Sequence, residues 1–319
     1  VYPRRLSRRA GKGLFINVLE SSIVMEIRVD QVATPFNLER TLCCGQVFRW
    51  EKIDGWWCGV ISGKVVKVRQ TNRGLAFQGF PEVDADFIER YFRLDDDLPR
   101  IFSQINRDKH IEEAIRAFRG LRLIRQEPWE CLISYMCATY KNIPAIRKMI
   151  LNLSTRFGES ITADRHDFYM FPRPDALAEA SLKEIKRCGL GFRAKRVLDV
   201  SRRIAQEKFD WEALRKTDYE EAKRELLALP GVGPKVADCV LLFSLDQLEA
   251  FPVDVWMKHI ILEFYHDHFE SGFVRKVLGK TSLTPREYEK INSFGRRHFG
   301  KYAGYAQEYL FHFGRQQLL

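Results

Sequence analysis

Two short segments place an amine and a carboxylate where each could do chemistry. The first is Leu229-Pro-Gly-Val-Gly-Pro-Lys-Val-Ala-Asp238. One helix ends at Pro230 and another begins near Pro234, so Gly231, Val232 and Gly233 form the turn between them. Glycine permits the positive φ of a tight turn and lets backbone N–H groups approach a ligand closely. Those groups, with the positive end of the next helix, make an anion site suited to a phosphate. Pro234, at the first helical position, loses no needed donor. A lone Gly-x-Gly is an ordinary corner. With a helix before it, Val232 inside it and Pro-Lys after it, the segment reads as a helix-hairpin-helix over 219–245 that grips a nucleic-acid backbone.

Lys235 stands in the first turn of the second helix, where a cation opposes the helix macrodipole. A surface lysine or a phosphate contact is the ordinary fate of such a residue. The same field, with partial burial, leaves more of an amine neutral and nucleophilic. The second segment, Phe251-Pro-Val-Asp-Val-Trp256, follows about one helix later. Pro252 keeps the chain extended, and Asp254 falls at the N-cap of a helix over 255–265. Capping alone explains an aspartate. A carboxylate fixed by capping also faces one direction, from which it can stabilise an oxocarbenium-like sugar or prepare an attacking amine.

The elements that position these residues form an α+β chain. From Ile27 to about Phe80 the sequence predicts short strands over 46–50, 57–61, 64–69 and 75–78. Asp54-Gly55, Ser62-Gly63 and Asn72-Arg-Gly74 separate them, which gives an antiparallel meander. From about Asp84 onward helical periods dominate, over 111–118, 128–138, 143–157, 182–188, 194–207, 219–229, 235–244, 255–265 and 302–313. The division is a basic extension over 1–24, disordered or non-native, then a sheet domain over 25–110 and a helical body over 111–319.

The formal charge of +10 and pI near 9.2 favour a polyanionic partner. Arg4, Arg5, Arg8, Arg9 and Lys12 against Glu20 supply +4 of it, leaving +6 on the rest. No apolar run approaches the ~18 residues of a membrane helix, and no secretory signal is read before Met25. The seven cysteines include no C-x-x-C, no zinc spacing and no iron–sulfur spacing, so they read as free thiols of a reducing compartment. No metal or other cofactor is expected.

The hairpin with Lys235, followed by Pro252-Val-Asp-Val255, resembles the helix-hairpin-helix glycosylases with the Gly/Pro-Asp signature. Within them it is most similar to the 8-oxoguanine DNA glycosylases. Gly189-Leu-Gly-Phe-Arg-Ala194, Ala303-Gly-Tyr-Ala-Gln307 and Cys44-Gly-Gln-Val-Phe-Arg-Trp50 carry the likeness from about residue 30 to the C-terminus.

That resemblance implies a small sheet domain before a helical glycosylase body, and a monomer that repairs damaged double-stranded DNA. Lys235 would attack the deoxyribose C1′, expel the base as a Schiff base forms, and cut the strand by β-elimination. Asp254 would be its carboxylate partner. Cys239 and Phe311 would hold the oxidised purine, Gln307 would read its Watson–Crick edge, and the Gly45 carbonyl would read its N7 hydrogen. Phe192 and Arg193 would fill the vacated stack and read the orphaned base. Tyr140, Asn142 and Trp256 would meet DNA, and the hairpin carbonyls would hold a monovalent cation. An enzyme of this kind acts inside the cell on DNA, in the cytoplasm and nucleoid of a prokaryote or the nucleus of a eukaryote.

The chain also departs from the family. Tyr140 stands where an asparagine is common, Ala145 where a cytosine-reading arginine is, and Trp256 where a histidine is. The first two predict relaxed selectivity for the base opposite the lesion. Two alternatives stay open: an alkylated-base glycosylase acting through Asp254 alone, and a DNA-binding protein without enzymatic activity.

Overall fold

A computed structural model describes residues 16–17, 23–207 and 209–317. The expectation for residues 1–24 lies largely outside these; of that stretch, β1 (Ile16–Asn17) pairs in parallel with Ile161 and Thr162. Five strands make the N-terminal sheet: β2 (Met25–Arg28), β3 (Glu51–Ile53), β4 (Trp56–Ile61), β5 (Lys64–Gln70) and β6 (Gly74–Phe80). Their order is β2-β6-β5-β4-β3, with every pair antiparallel. Asp54-Gly55 and Ser62-Gly63 take the paired positive φ values of two-residue hairpin turns, as the sequence predicts.

One predicted strand is absent. Gln46–Trp50 is irregular, and β3 starts only at Glu51. The Gln46 side chain explains why. Its amide donates to the carbonyls of Thr41 (3.0 Å) and Arg122 (2.8 Å), and its oxygen accepts from the Ile124 N–H (2.8 Å). A buried glutamine thus takes the place of a neighbouring strand, and the loop before the sheet stays free to line a cavity. A hairpin of β7 (Ser160–Ala163) and β8 (His166–Tyr169), and the helices Ala85–Tyr91, Leu98–Ile105 and Pro285–Phe299, lie beyond what the periodicity showed.

The helical body buries one large apolar cluster and the sheet domain a second. Charged residues fasten the two. Arg122 is fully buried and donates to the carbonyls of Pro35, Arg93 and Asp96. Arg93, from the sheet side, and Arg125 both pair with Asp246 just beyond the Pro234–Ser244 helix. Buried guanidinium groups need such partners to offset their desolvation. The latch fixes the Gly45 loop against the helix that carries Lys235.

Candidate active site

The hairpin forms between Tyr219–Leu227 and Pro234–Ser244. Asp218 caps the first helix by accepting from the Glu221 N–H at 2.9 Å. Gly231 has φ +77°, and a Cβ there would lie 2.7 Å from the Arg196 side chain, so the turn itself demands glycine. Gly233 differs. Its φ of −104° suits any residue, and a Cβ would meet nothing within 4 Å. Gly233 is also the N-cap of the Pro234–Ser244 helix, which has no side-chain cap. Its bare backbone leaves first-turn N–H groups open to an outside acceptor. Val232, grouped with the glycines from the sequence, has its side chain in the core and its N–H on the Leu229 carbonyl at 3.2 Å. It shapes the hairpin from within.

Asp254 caps Val255–Phe264, its Oδ1 accepting from the Met257 N–H at 2.8 Å. This holds the half-buried carboxylate in one orientation. Lys235 Nζ lies 5.0 Å from the centroid of the Tyr135 ring. Tyr135 in turn stacks on Phe243 (5.4 Å, 6°) and donates to the Gln46 carbonyl at 3.3 Å.

Lys235 and Asp254 stand on the wall shared by two recesses. One, of about 450 Å³, reaches inward and is lined by Gly45, Cys239, Gln307 and Phe311, with Asn142 and Trp256 nearer its mouth. The other, of about 430 Å³, runs outward along Gly231 and Gly233 past Tyr140 and Arg196. The inner volume falls in the range of small-molecule sites.

Inside that cavity Gln307 is 6% exposed, and its Oε1 takes no hydrogen bond among the described residues. A buried acceptor without a donor is costly, and it marks a place for a ligand N–H. Cys239 is 1% exposed, and burial, against the opposing effect of Lys235, pushes its thiol up to about 12. It offers a neutral, polarizable surface and leaves the amine as the nucleophile. Gly45, at φ +96°, lets its loop turn past Ile143.

Phe192 and Tyr140 are 59% and 66% exposed, the form of side chains that await a stacking partner. Arg193 sits otherwise. It is 3% exposed, with Nε and Nη2 on the Thr139 carbonyl, Nη1 on the Leu190 carbonyl and its guanidinium over the Phe192 ring at 4.3 Å. Its side chain points inward and braces the turn that presents Tyr140. Asn142 caps Ile143–Phe157 through Ala145 N–H at 3.0 Å.

Three residues escaped the sequence reading. Tyr135 was one apolar position among many in its helix. Arg196 looked like any exposed helical cation, yet it lies against Gly231 and within 5.6 Å of the Phe192 ring. Arg315 faces the rings of Trp256 (5.5 Å) and Phe311 (5.3 Å) at the cavity mouth, and its Nε is enclosed without a partner among the described residues.

The chain is similar to known proteins over most of its length. Residues 28–132 match the family model described as 8-oxoguanine DNA glycosylase, N-terminal domain. The N-glycosylase/DNA lyase OGG1 of Arabidopsis thaliana is 31% identical over 290 residues, covering 87% of this chain and 77% of that protein. The chain belongs to the 8-oxoguanine DNA glycosylase family. The probable N-glycosylase/DNA lyase of Methanothermobacter thermautotrophicus is 30% identical over 311 residues, covering 88% of this chain and 94% of its own. The solved 8-oxoguanine glycosylase/lyase of Clostridium acetobutylicum, bound to duplex DNA with cytosine opposite the lesion, superposes with a TM-score of 0.79. It is 30% identical and covers 93% of this chain and 99% of that one. Among the described residues no helix is long and apolar enough to cross a membrane.

Proposed function

We propose that this chain excises 8-oxoguanine from duplex DNA and then cuts the strand, with Lys235 as nucleophile. The observation that carries the reading is the placement of Lys235 and Asp254 on the wall between an inner cavity and an outer groove. A nucleotide turned out of the stack would put its base in the first and its backbone along the second, with C1′ at the boundary. Gly233 and the uncapped N–H groups of its helix would take a phosphate, which fixes register without reading sequence.

Gln307 supports a guanine-type base. Guanine carries N–H donors on its Watson–Crick edge, and Gln307 Oε1 is an enclosed acceptor. Phe311 and Cys239 lie beside it as apolar surfaces, and Gly45 occupies the opposite loop. In the reaction the free amine of Lys235 bonds to C1′ as the C1′–N9 bond breaks, and the base leaves with that electron pair and takes up the proton that Nζ sheds. The C1′–O4′ bond then breaks to leave an imine on Lys235, with O4′ protonated from water. Transfer of the C2′ proton to water lets its electron pair form the C2′–C3′ double bond and expel the 3′ phosphate. Asp254, held by its capping bond, faces the positive charge that develops at the sugar. A monovalent cation would be held by carbonyls of the hairpin, as the family likeness implies. No step is routed through it.

Tyr140 and Ala145 support a further feature, relaxed selectivity for the opposite base. Tyr140 presents ring area and a single hydroxyl, and Ala145 a methyl group, so neither makes the bidentate contact that singles out a cytosine edge. We read the working unit as a monomer.

Borohydride trapping on a duplex with one 8-oxoguanine opposite cytosine tests the reaction. The expected result is a covalent adduct with the wild type, absent with Lys235→Gln and absent on undamaged duplex. Tight binding without an adduct would overturn Lys235 as nucleophile and favour excision through Asp254 alone.

A further inference from the structure

The Cys44 thiol, the Glu308 carboxylate and the His312 imidazole converge, with their ligand atoms within 4.8 Å of one another. Cys44 and Glu308 are buried and line the inner cavity. His312 closes the group from behind, packed on the rings of Phe118 and Phe311. None of the three has a part in the reaction proposed above.

The donor set is one sulfur, one oxygen and one imidazole nitrogen. Zinc and similar borderline ions use this mixture, whereas magnesium and calcium prefer oxygen alone. Glu308 and His312 are one turn apart on the Ala303–Gln317 helix, the i, i+4 spacing by which a helix face presents two ligands. Their Oε1 and Nε2 atoms are 3.3 Å apart. Two ligands each about 2.0–2.1 Å from a tetrahedral ion stand roughly 3.3–3.4 Å from each other.

An ion pair alone would account for Glu308 and His312, but it leaves a thiol beside a buried carboxylate. The thiol donates to the Thr41 carbonyl at 3.2 Å. With a dication bound, thiolate and carboxylate together neutralise it, the imidazole binds uncharged, and the thiol proton leaves to solvent.

We propose that Cys44, Glu308 and His312 bind a divalent ion of the zinc class, with the fourth position open toward the inner cavity. The ion would act as a clasp. Cys44 precedes Gly45 on the sheet-domain loop, and Glu308 follows Gln307 on the C-terminal helix, so the ion joins two facing walls of the cavity. Filling the site narrows entry and slows excision. This last consequence rests on the proposed function, while metal binding itself does not. Cys44 lies far along the chain from Glu308 and His312, so no spacing rule for metal ligands brings the three together.

Cobalt(II) titration of the full chain under reducing conditions tests the site by absorption. The expected spectrum shows a thiolate-to-cobalt charge-transfer band that saturates at one ion per chain. Cys44→Ser abolishes it, His312→Ala weakens binding by about tenfold or more, and Cys43→Ser, at the adjacent exposed thiol, leaves it unchanged. Melting curves establish that each variant is folded. No band at millimolar cobalt, or a band that survives Cys44→Ser, overturns the site. In the second arm zinc slows excision by the wild type, a chelator restores it, and His312→Ala is insensitive. Zinc that binds without slowing excision overturns the clasp. If the chain excises nothing, the proposed function has failed, and the spectrum still decides the metal site.

Discussion

Lys235 Nζ lies 5.0 Å from the centroid of the Tyr135 ring, and the same tyrosine donates its hydroxyl to the Gln46 carbonyl. One side chain therefore joins the amine to the Gly45–Gln46 loop that walls the inner cavity. A cation near an aromatic face is held there by about 0.5–2 kcal/mol, enough to choose among the rotamers of a flexible lysine.

Removing the ring should free that lysine. Tyr135→Phe keeps the ring and loses one hydrogen bond, so trapping should stay within about fivefold of wild type, corresponding to about 1 kcal/mol. Tyr135→Leu loses the face and should reduce trapping by more than about tenfold, with kcat falling more than KM rises. Equal trapping by the two variants would show that the ring does not position the amine.

The two hairpin glycines separate folding from binding. Gly231→Ala forces a side chain to φ +77° and against Arg196, and should destabilise the protein by about 1–3 kcal/mol. Gly233→Ala meets neither obstacle and should leave the melting temperature level or slightly raised. Its methyl group stands where a phosphate would approach, so duplex affinity should fall. Wild-type affinity in Gly233→Ala would remove the anchor from this place. The measurements are a thermal melt and a salt-matched binding titration.

How much was legible in the sequence follows from the range over which each residue acts. Lys235 and Asp254 announce themselves locally, because a glycine turn, a proline and a cap lie within a few positions of each. The paired turns of β4 with its neighbours were readable for the same reason. Gln46–Trp50 misled because aromatic and β-branched residues also suit a buried loop, and the partners replacing the strand ladder come from residue 41 and from residues 122–124. Arg193 stood in the right motif for a surface reader. Its inward course depends on the Thr139 and Leu190 carbonyls, which no spacing discloses. Tyr135, Arg315 and the Cys44 group likewise gain meaning only when distant segments meet.

Arg193 provides a direct test of that inward course. Arg193→Lys cannot reproduce the fork on Thr139 and Leu190, and should cost about 1.5–3 kcal/mol of stability. With the Tyr140 turn loosened, KM for damaged duplex should rise while the ratio of rates opposite the four bases stays fixed. A changed ratio would place Arg193 on the orphaned base after all.

Acid stability should report Glu287. Hydrogen bonds from Lys280 and from the Thr284 cap hold its carboxyl down to about 2, below its ordinary 4.5. A depressed folded-state value contributes stability above the unfolded value, lost as pH falls through the folded one. Glutamine can still accept from the Thr284 N–H and keep the capping box, so Glu287→Gln should be less stable than wild type at pH 7 by up to about 1 kcal/mol, for the lost charged pairing with Lys280. The gap should narrow below pH 4.5 and close near pH 2. A gap that is constant with pH would assign the loss to packing rather than charge.

Opposite-base selectivity should depend on Tyr140 and Ala145. Tyr140 is 66% exposed at φ +53°, on a turn braced by Arg193, and Ala145 lies in the first helical turn beyond it. Stacking a ring in the emptied space gains area from any partner base, whereas discrimination requires donors and acceptors matched to one edge. Excision opposite cytosine, adenine, guanine and thymine should then differ by less than about tenfold, since no bidentate contact worth 1–3 kcal/mol singles out one base. Ala145→Arg places five N–H donors near that gap and should raise the cytosine ratio by slowing the other three. Single-turnover rates on four duplexes decide it. A cytosine preference of a hundredfold in the wild type would mean that another residue reads the opposite base, and Arg196, beside Phe192, would be the first to replace.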